Sequence, residues 1–107
     1  MQGTLIFNNK PKIITTYSVV GPKEKNSTLG ACYDLALDDD KFDESTYEKA
    51  ECKMLSTALK KCIKKAGLKE NEIGTIIAGD LLNQLISANF SARDFEVPFF
   101  GVYSACS

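Results

Sequence analysis

The sequence contains no histidine in its 107 residues. A mechanism that needs an imidazole as general base therefore has to borrow that group from outside this chain. The four cysteines, Cys32, Cys52, Cys62 and Cys106, form no CxxC pair and have no histidine with which to build a zinc site. We therefore predict no metal site and no cofactor. We expect reduced thiols, because the sequence shows no secretion signal.

The sequence also lacks a charge excess and a long apolar run. Thirteen basic and fourteen acidic residues leave a formal net charge of -1, which predicts no overall field toward nucleic acid or an acidic membrane surface. No uninterrupted apolar segment approaches the ~18 residues of a membrane span. With 44% hydrophobic and 25% charged residues, the composition predicts one soluble, cytosolic domain with a modest core and no nucleic-acid partner.

The first forty residues are patterned as strands followed by a loop. Thr4–Phe7 and Ile13–Val20 are rich in Ile, Thr, Val and Tyr, and the turn residues of Asn8–Pro11 lie between them. This pattern predicts a β-hairpin. The periodicity then fades over residues 21–41, which we predict to be a long surface loop with a short helical turn near Tyr33–Leu37.

The clearest element is a helix from Ser45 to Ala66. Ser45 and Glu48 have the spacing of a capping box, and Gly67 is suited to the left-handed position that closes a helix. One side of the predicted helix is apolar and comprises Tyr47, Cys52, Met54, Leu55, Ala58, Leu59, Cys62, Ile63 and Ala66. The other side is mainly basic and comprises Lys49, Lys53, Lys60, Lys61 and Lys64.

The last third of the chain alternates between strand and helix patterns. Thr75–Asp80 and Pro98–Tyr103 are short apolar runs that predict parallel strands buried on both faces. A helical pattern lies between them, with apolar residues at Leu81, Leu85, Ala88, Ala92 and Phe95. The predicted order is a hairpin followed by helix, strand, helix and strand, which is an α/β fold of βαβαβ type with a mixed or parallel sheet.

Cys106 is the candidate for chemistry, because it follows a buried parallel strand, where open α/β sheets place their ligands. A helix beginning after Ser107 would lower the pKa of its thiol and offer N–H groups to an oxyanion. The alternative is a small buried hydrophobic residue. Asp80 and Asn83 follow the other strand and are further ligand-binding candidates. For Asp80, an ordinary helix cap is the stronger alternative.

Two charged runs allow both a functional and a purely structural interpretation. The acidic residues Asp38, Asp39, Asp40 and Asp43 lack the alternating ligands and the glycine of a calcium loop, so a solvated surface loop is favoured. The lysines Lys60, Lys61, Lys64 and Lys65 could meet anionic lipid. Lysines in a last helical turn more often complement the helix dipole, and we expect that role here.

Several segments carry a family resemblance. Residues 74–80, GTIIAGD, and residues 99–107, FFGVYSACS, resemble the approach to the nucleophile in thiolases and β-ketoacyl synthase III enzymes. Within that superfamily, VGPKEK at residues 20–25, Leu29-Gly30 and AGDLLNQ at residues 78–84 resemble the stage V sporulation protein AD family. The resemblance extends over nearly the whole chain, and segments of this length are more specific than one short motif.

The resemblance implies that residues 1–107 are a partial, amino-terminal thiolase-like domain that stops just after the nucleophile-position Cys106. It implies a non-enzymatic protein that binds dipicolinic acid and assists its uptake, with calcium, into the developing spore. The implied location is cytoplasmic or peripheral at the spore inner membrane, with other spore membrane transport proteins as partners. The alternative is a fragment of an acyl-transferring enzyme that carries a thioester on Cys106. We also expect self-association, because strands without a covering helix leave apolar surface open.

Overall fold

A computed structural model describes residues 3–79 and 96–102 of the chain. Its strands are β1 (Val19–Val20), β2 (Leu35–Ala36), β3 (Ile76–Gly79) and β4 (Phe99–Val102), and its helices are α1 (Pro22–Lys25) and α2 (Tyr47–Lys65). Short 3-10 helices lie at Gly30–Cys32 and Glu70–Glu72. β1 pairs with β2 and β3 pairs with β4, both in parallel. The predicted α/β class with parallel strand pairing is confirmed.

The predicted hairpin over Thr4–Phe7 and Ile13–Val20 is wrong. Residues 3–18 contain no strand, and only Val19–Val20 enters a sheet, with β2 as its parallel partner. The Ser18 and Val20 carbonyls accept hydrogen bonds from the Leu35 and Leu37 N–H groups at 3.0 and 2.9 Å. The backbone carbonyls at β1 are thus hydrogen-bonded to residues 35–37 and not to a neighbouring hairpin strand. Tertiary pairing therefore overrides the local β propensity.

The helical turn predicted near Tyr33–Leu37 is also wrong, because this stretch contains strand β2. Pairing with β1 directs Leu37 inward, where only 7% of its surface stays exposed. The long loop predicted for residues 21–41 is instead divided into α1, a 3-10 helix and β2. The backbone of residues 21–37 is therefore largely ordered by its own hydrogen bonds and by β1.

Gly30 is required by a close backbone approach within this segment. A Cβ atom at position 30 would overlap the Lys25 carbonyl oxygen and would lie 2.7 Å from the carbonyl carbon of the same residue. The Gly30 N–H also donates to the Ser27 carbonyl at 3.0 Å, which folds the chain back onto the end of α1. Leu29-Gly30 and VGPKEK, two of the segments that carry the family resemblance, meet at this contact.

Helix α2 begins one residue later than its capping pattern suggested. The side chain of Thr46, not Ser45, accepts the hydrogen bond from the Lys49 N–H, at 3.2 Å. Thr46 is extended, with φ -135° and ψ 158°, as an N-cap requires. Ser45 instead accepts from the Lys49 ammonium at 3.4 Å.

The carboxyl end of α2 closes as predicted on Gly67, which has φ +73°. The Gly67 N–H donates to the Lys64 carbonyl at 3.0 Å, and the Leu68 N–H donates to the Ile63 carbonyl at 3.2 Å. This pair of hydrogen bonds is the Schellman motif, which satisfies carbonyls that the helix itself leaves open. Glycine is suited to this position because a left-handed residue with a Cβ is strained.

The strands β3 and β4 have one covered face and one open face. Ile76 is only 6% exposed, whereas Ile77 and its register partner Phe100 are 68% and 66% exposed. Alternate residues of a strand point to opposite faces, so the open face comprises Ile77, Phe100 and Val102. The described strands are thus not buried on both faces, and the open face agrees with the expectation that this chain leaves apolar strand surface uncovered. The helix predicted from Leu81 to Phe95 lies outside the described residues.

The buried apolar side chains among the described residues are few, namely Leu37, Ala50 and Ile76. Leu37 directly follows β2, Ala50 lies on α2 and Ile76 lies on β3, so burial is distributed along the chain. Within residues 3–79 and 96–102, no helix has both the length and the apolar character needed to cross a bilayer.

Replacing Gly30 with alanine is expected to destabilise the chain by about 1–3 kcal/mol, because the added methyl group forces the backbone near Lys25 to move. The matched control is Gly74→Ala, where an added Cβ meets nothing within 4 Å. Urea unfolding of both variants measures the difference. Equal stability of the two variants would contradict the close approach.

Candidate functional site

The candidate site lies where β3 and β4 end side by side. Register pairs Ile76 with Phe99 and continues to Gly79 with Val102, so the carboxyl ends of the two strands are level. In parallel α/β sheets, ligands bind at this edge of the sheet. The described strands therefore lead the chain to one common edge at residues 79 and 102.

The predicted site residues Asp80, Asn83 and Cys106 lie outside the described residues. Asp80 directly follows Gly79, and Cys106 comes four residues after Val102. The structure thus describes the strands that precede these residues and leaves their assignment to a ligand site as a prediction.

The Pro98 carbonyl fixes the register of this strand pair at its amino end. It accepts hydrogen bonds from the Ile76 N–H at 2.8 Å and from the Thr75 hydroxyl at 3.0 Å. Pro98 has no N–H of its own, so it enters the ladder only as an acceptor. A slip by one residue would break both bonds and would displace one strand end by about 3.3 Å relative to the other.

Two concave regions lie away from this strand edge. One, of about 360 Å³, is lined by Glu70, Asn71, Glu96 and Val97, which precede β3 and β4. The other, of about 250 Å³, is a mostly apolar groove between residues 12–15 and the end of α2, where Cys62 and Ile63 line its wall. Among the described lining residues, the first region has two carboxylates, which disfavour a dianion, and the second has a single cation, Lys12, in otherwise mostly apolar surroundings.

A polar cluster that the sequence analysis missed joins Ser18, Asp34 and Lys65. Asp34 accepts hydrogen bonds from the Ser18 N–H at 2.8 Å and the Ser18 hydroxyl at 3.0 Å. The Lys65 ammonium donates to Asp34 at 3.2 Å and to the Thr16 carbonyl at 3.1 Å. No local sequence signal identifies this cluster, because its members come from three separate segments.

The same contacts hold the Asp34 pKa below its ordinary value. The largest cause is the hydrogen bond from the Ser18 N–H, followed by the Ser18 hydroxyl and by Lys65. Hydrogen bonds and a nearby cation favour the ionised carboxylate, and partial desolvation opposes them. The Ser18 and Lys65 groups are thus used in holding Asp34 itself, so we interpret the cluster as a structural latch.

The acidic run likewise has structural contacts. Lys25 forms a hydrogen-bonded ion pair with Asp38 and lowers the pKa of that carboxyl group. Asp39 accepts from the Lys41 N–H at 2.9 Å, which closes a tight turn. Across residues 3–79 and 96–102, no group of three or more metal-ligating side chains comes together.

The amino end of α2 is held by a second lysine. The Lys53 ammonium donates to the Phe42 carbonyl at 2.8 Å and lies 4.3 Å from the centre of the Phe42 ring. Phe42 and Asp43 both have positive φ, 50° and 61°. Such backbone is costly for residues with side chains, and the Lys53 contacts help to stabilise it.

Comparison with known proteins agrees with the family resemblance. Residues 1–107 match the family model described as stage V sporulation protein AD (SpoVAD). The stage V sporulation protein AD of Bacillus subtilis (strain 168) is 33% identical to this chain over 104 residues. The match covers 97% of this chain and 31% of the relative, so the chain spans about a third of that protein's length.

These matches place the chain in the class of bacterial sporulation proteins. More closely, the chain belongs to the stage V sporulation protein AD family. The resemblance seen in VGPKEK, Leu29-Gly30 and AGDLLNQ is therefore confirmed at the level of the family.

Removing the Asp34 carboxylate is expected to change the acid dependence of stability. Its folded-state pKa lies below the ordinary value of 3.8, so its contribution is present above that pH. The contribution is lost as pH falls through the lowered folded-state pKa. Asp34→Asn should therefore be less stable than the parent at pH 7, and the gap should narrow below about pH 4.

Urea unfolding at pH 7, 5, 4 and 3 measures this effect. The control is Asp40→Asn, which removes the same charge from the exposed acidic loop and should shift stability by less than about 0.5 kcal/mol. A gap for Asp34→Asn that stays constant over this pH range would contradict the latch.

Proposed function

We propose that this chain is part of a sporulation protein that binds dipicolinic acid and assists its uptake, with calcium, into the developing spore. Family membership supports the sporulation role. The observation that carries the ligand proposal is the level pairing of Gly79 with Val102, immediately before Asp80 and shortly before Cys106. Small-molecule sites of α/β proteins form at such an edge.

The site as proposed binds its ligand without covalent chemistry. Dipicolinate is a planar aromatic dianion, which requires converging donors and flat apolar walls. The chain has no histidine, so a thiol at Cys106 has no imidazole within this chain to activate it. We further propose that the complete pocket is that of a thiolase-like fold. Such a fold has two similar halves, and both would contribute walls to the pocket.

The 107-residue chain alone should bind dipicolinate at least about tenfold more weakly than a family-length protein that contains this sequence. Ordering an incomplete pocket costs free energy that few donors can offset. Calorimetry of both proteins with dipicolinate measures this difference. Benzene-1,3-dicarboxylate, which differs from dipicolinate in lacking the ring nitrogen, is the control ligand for both proteins.

The site is located with two matched variants of the family-length protein. Cys106→Leu should reduce dipicolinate affinity at least about tenfold, because the larger side chain occupies the proposed ligand space. Cys32→Leu changes an exposed cysteine on the 3-10 helix and should leave affinity unchanged. Absence of dipicolinate binding by the family-length protein would disprove the function. Equal affinity of the short chain would place the whole pocket within residues 1–107.

We also propose that the chain associates with a second copy through the open face of β3 and β4. Ile77 and Phe100 are large, apolar and adjacent on that face. An apolar sheet face of this kind is stabilised when a like face packs on it, and a two-fold pair uses the same patch on both copies.

Light scattering tests the association. The parent chain should form dimers or larger species at high concentration, and Ile77→Thr/Phe100→Thr should shift it toward monomer while keeping β propensity. Ile13→Thr/Ile14→Thr, on exposed residues outside the strands, is the control. A monodisperse parent monomer that binds no hydrophobic dye would refute the proposal.

A further inference from the structure

Charges are segregated along helix α2. Lys53 lies 3.8 Å from Glu44, and Lys41 lies 5.0 Å from the centre of the Tyr47 ring, so the acidic loop packs at the amino end of α2. The acidic side chains of this end are Asp38, Asp39, Asp40, Asp43, Glu44 and Glu48. At the opposite end, Lys60, Lys61 and Lys64 are all exposed and form what we call the lysine patch.

The separation of the two ends decides how the lysine patch acts. The 19 residues of α2 extend about 28 Å at 1.5 Å per residue. Charges in physiological salt are screened over about 8 Å. The acidic end therefore does not cancel the patch, and the formal net charge of -1 does not describe the field there.

Two of the three patch lysines have unpaired ammonium groups among the described residues. The side chains of Lys61 and Lys64 donate no hydrogen bond and form no ion pair within residues 3–79 and 96–102. Two acidic groups among the described residues are engaged elsewhere, since Asp34 holds Lys65 and Ser18, and Glu72 accepts from the Lys69 N–H at 2.8 Å. Like charges three and four residues apart destabilise a helix, which the dipole at this terminus only partly offsets.

We propose that the lysine patch docks this chain on an anionic lipid surface. The patch is built from lysines alone, and the one arginine of the chain is Arg93. Lysine is a compact point charge without the planar fork that reads a single phosphate or carboxylate in a fixed geometry, so it suits a diffuse anionic surface. The patch contains no aromatic residue on which nucleic-acid bases could stack.

This inference rests on the peripheral location at the spore inner membrane, which the family resemblance implies, only in placing a bilayer within reach. It does not depend on dipicolinate binding. The vesicle measurement below contains no dipicolinate, so its failure would leave the ligand proposal intact, and failure of the ligand proposal would leave the docking surface intact.

The test is co-sedimentation of the 107-residue chain with vesicles of phosphatidylcholine, with and without about one-third phosphatidylglycerol. Binding is expected only to the anionic vesicles, and it should weaken from 50 to 300 mM salt. Each lysine near an anionic surface contributes about fivefold, so Lys61→Gln/Lys64→Gln should reduce the partition coefficient about 30-fold.

Lys41→Gln/Lys49→Gln removes the same charge at the amino end of α2 and should leave partitioning within about twofold of the parent. Circular dichroism confirms that both variants retain the helix. Three results would overturn the proposal. The first is binding to neutral vesicles as strong as binding to anionic vesicles, and the second is an equal loss of partitioning in the two double variants. The third is binding of a poly-glutamate peptide without binding of the anionic vesicles.

Discussion

The contact of Lys65 with Asp34 and Thr16 connects the two halves of the described chain. The first half contributes the β1–β2 pair, which has only two residues in each strand and little ladder of its own. The second half contributes α2, whose Lys65 ammonium lies 3.2 Å from the Asp34 carboxylate and 5.9 Å from the centre of the Tyr17 ring. Few apolar side chains of the described residues are fully buried, and this polar junction is one of the contacts that position α2 against the β1–β2 pair.

The elements that could be predicted are those with a strong local signal in the sequence. The span of α2 was predicted to within two residues at each end, because its apolar period continues over nineteen residues and Gly67 closes it. β3 and β4 were found as short apolar runs bounded by glycine and proline, with ends shifted by one residue. All of these signals are local, so a single sequence contains them.

The failed prediction of the hairpin has a different cause, which is pairing between distant segments. The partner of β1 begins sixteen residues later at Leu35, and nothing in the residues around Val19 distinguishes that pairing from a hairpin. The cap moved from Ser45 to Thr46 where the preceding backbone has positive φ at Phe42 and Asp43. For the site, sequence and structure agree on the edge formed by the strand ends, while the roles of Asp80, Asn83 and Cys106 remain predictions.

The close approach at Gly30 has a consequence for how this protein can vary. The turn that joins α1 to β2 is shaped by backbone atoms meeting backbone atoms, at the Lys25 carbonyl and at the Ser27 carbonyl. The exposed side chains on the same segment, such as Lys23, Asn26 and Thr28, take no part in that closure. The exposed side chains of this segment can therefore be substituted, even by a grafted recognition sequence. The path of the backbone is preserved as long as Gly30 is kept.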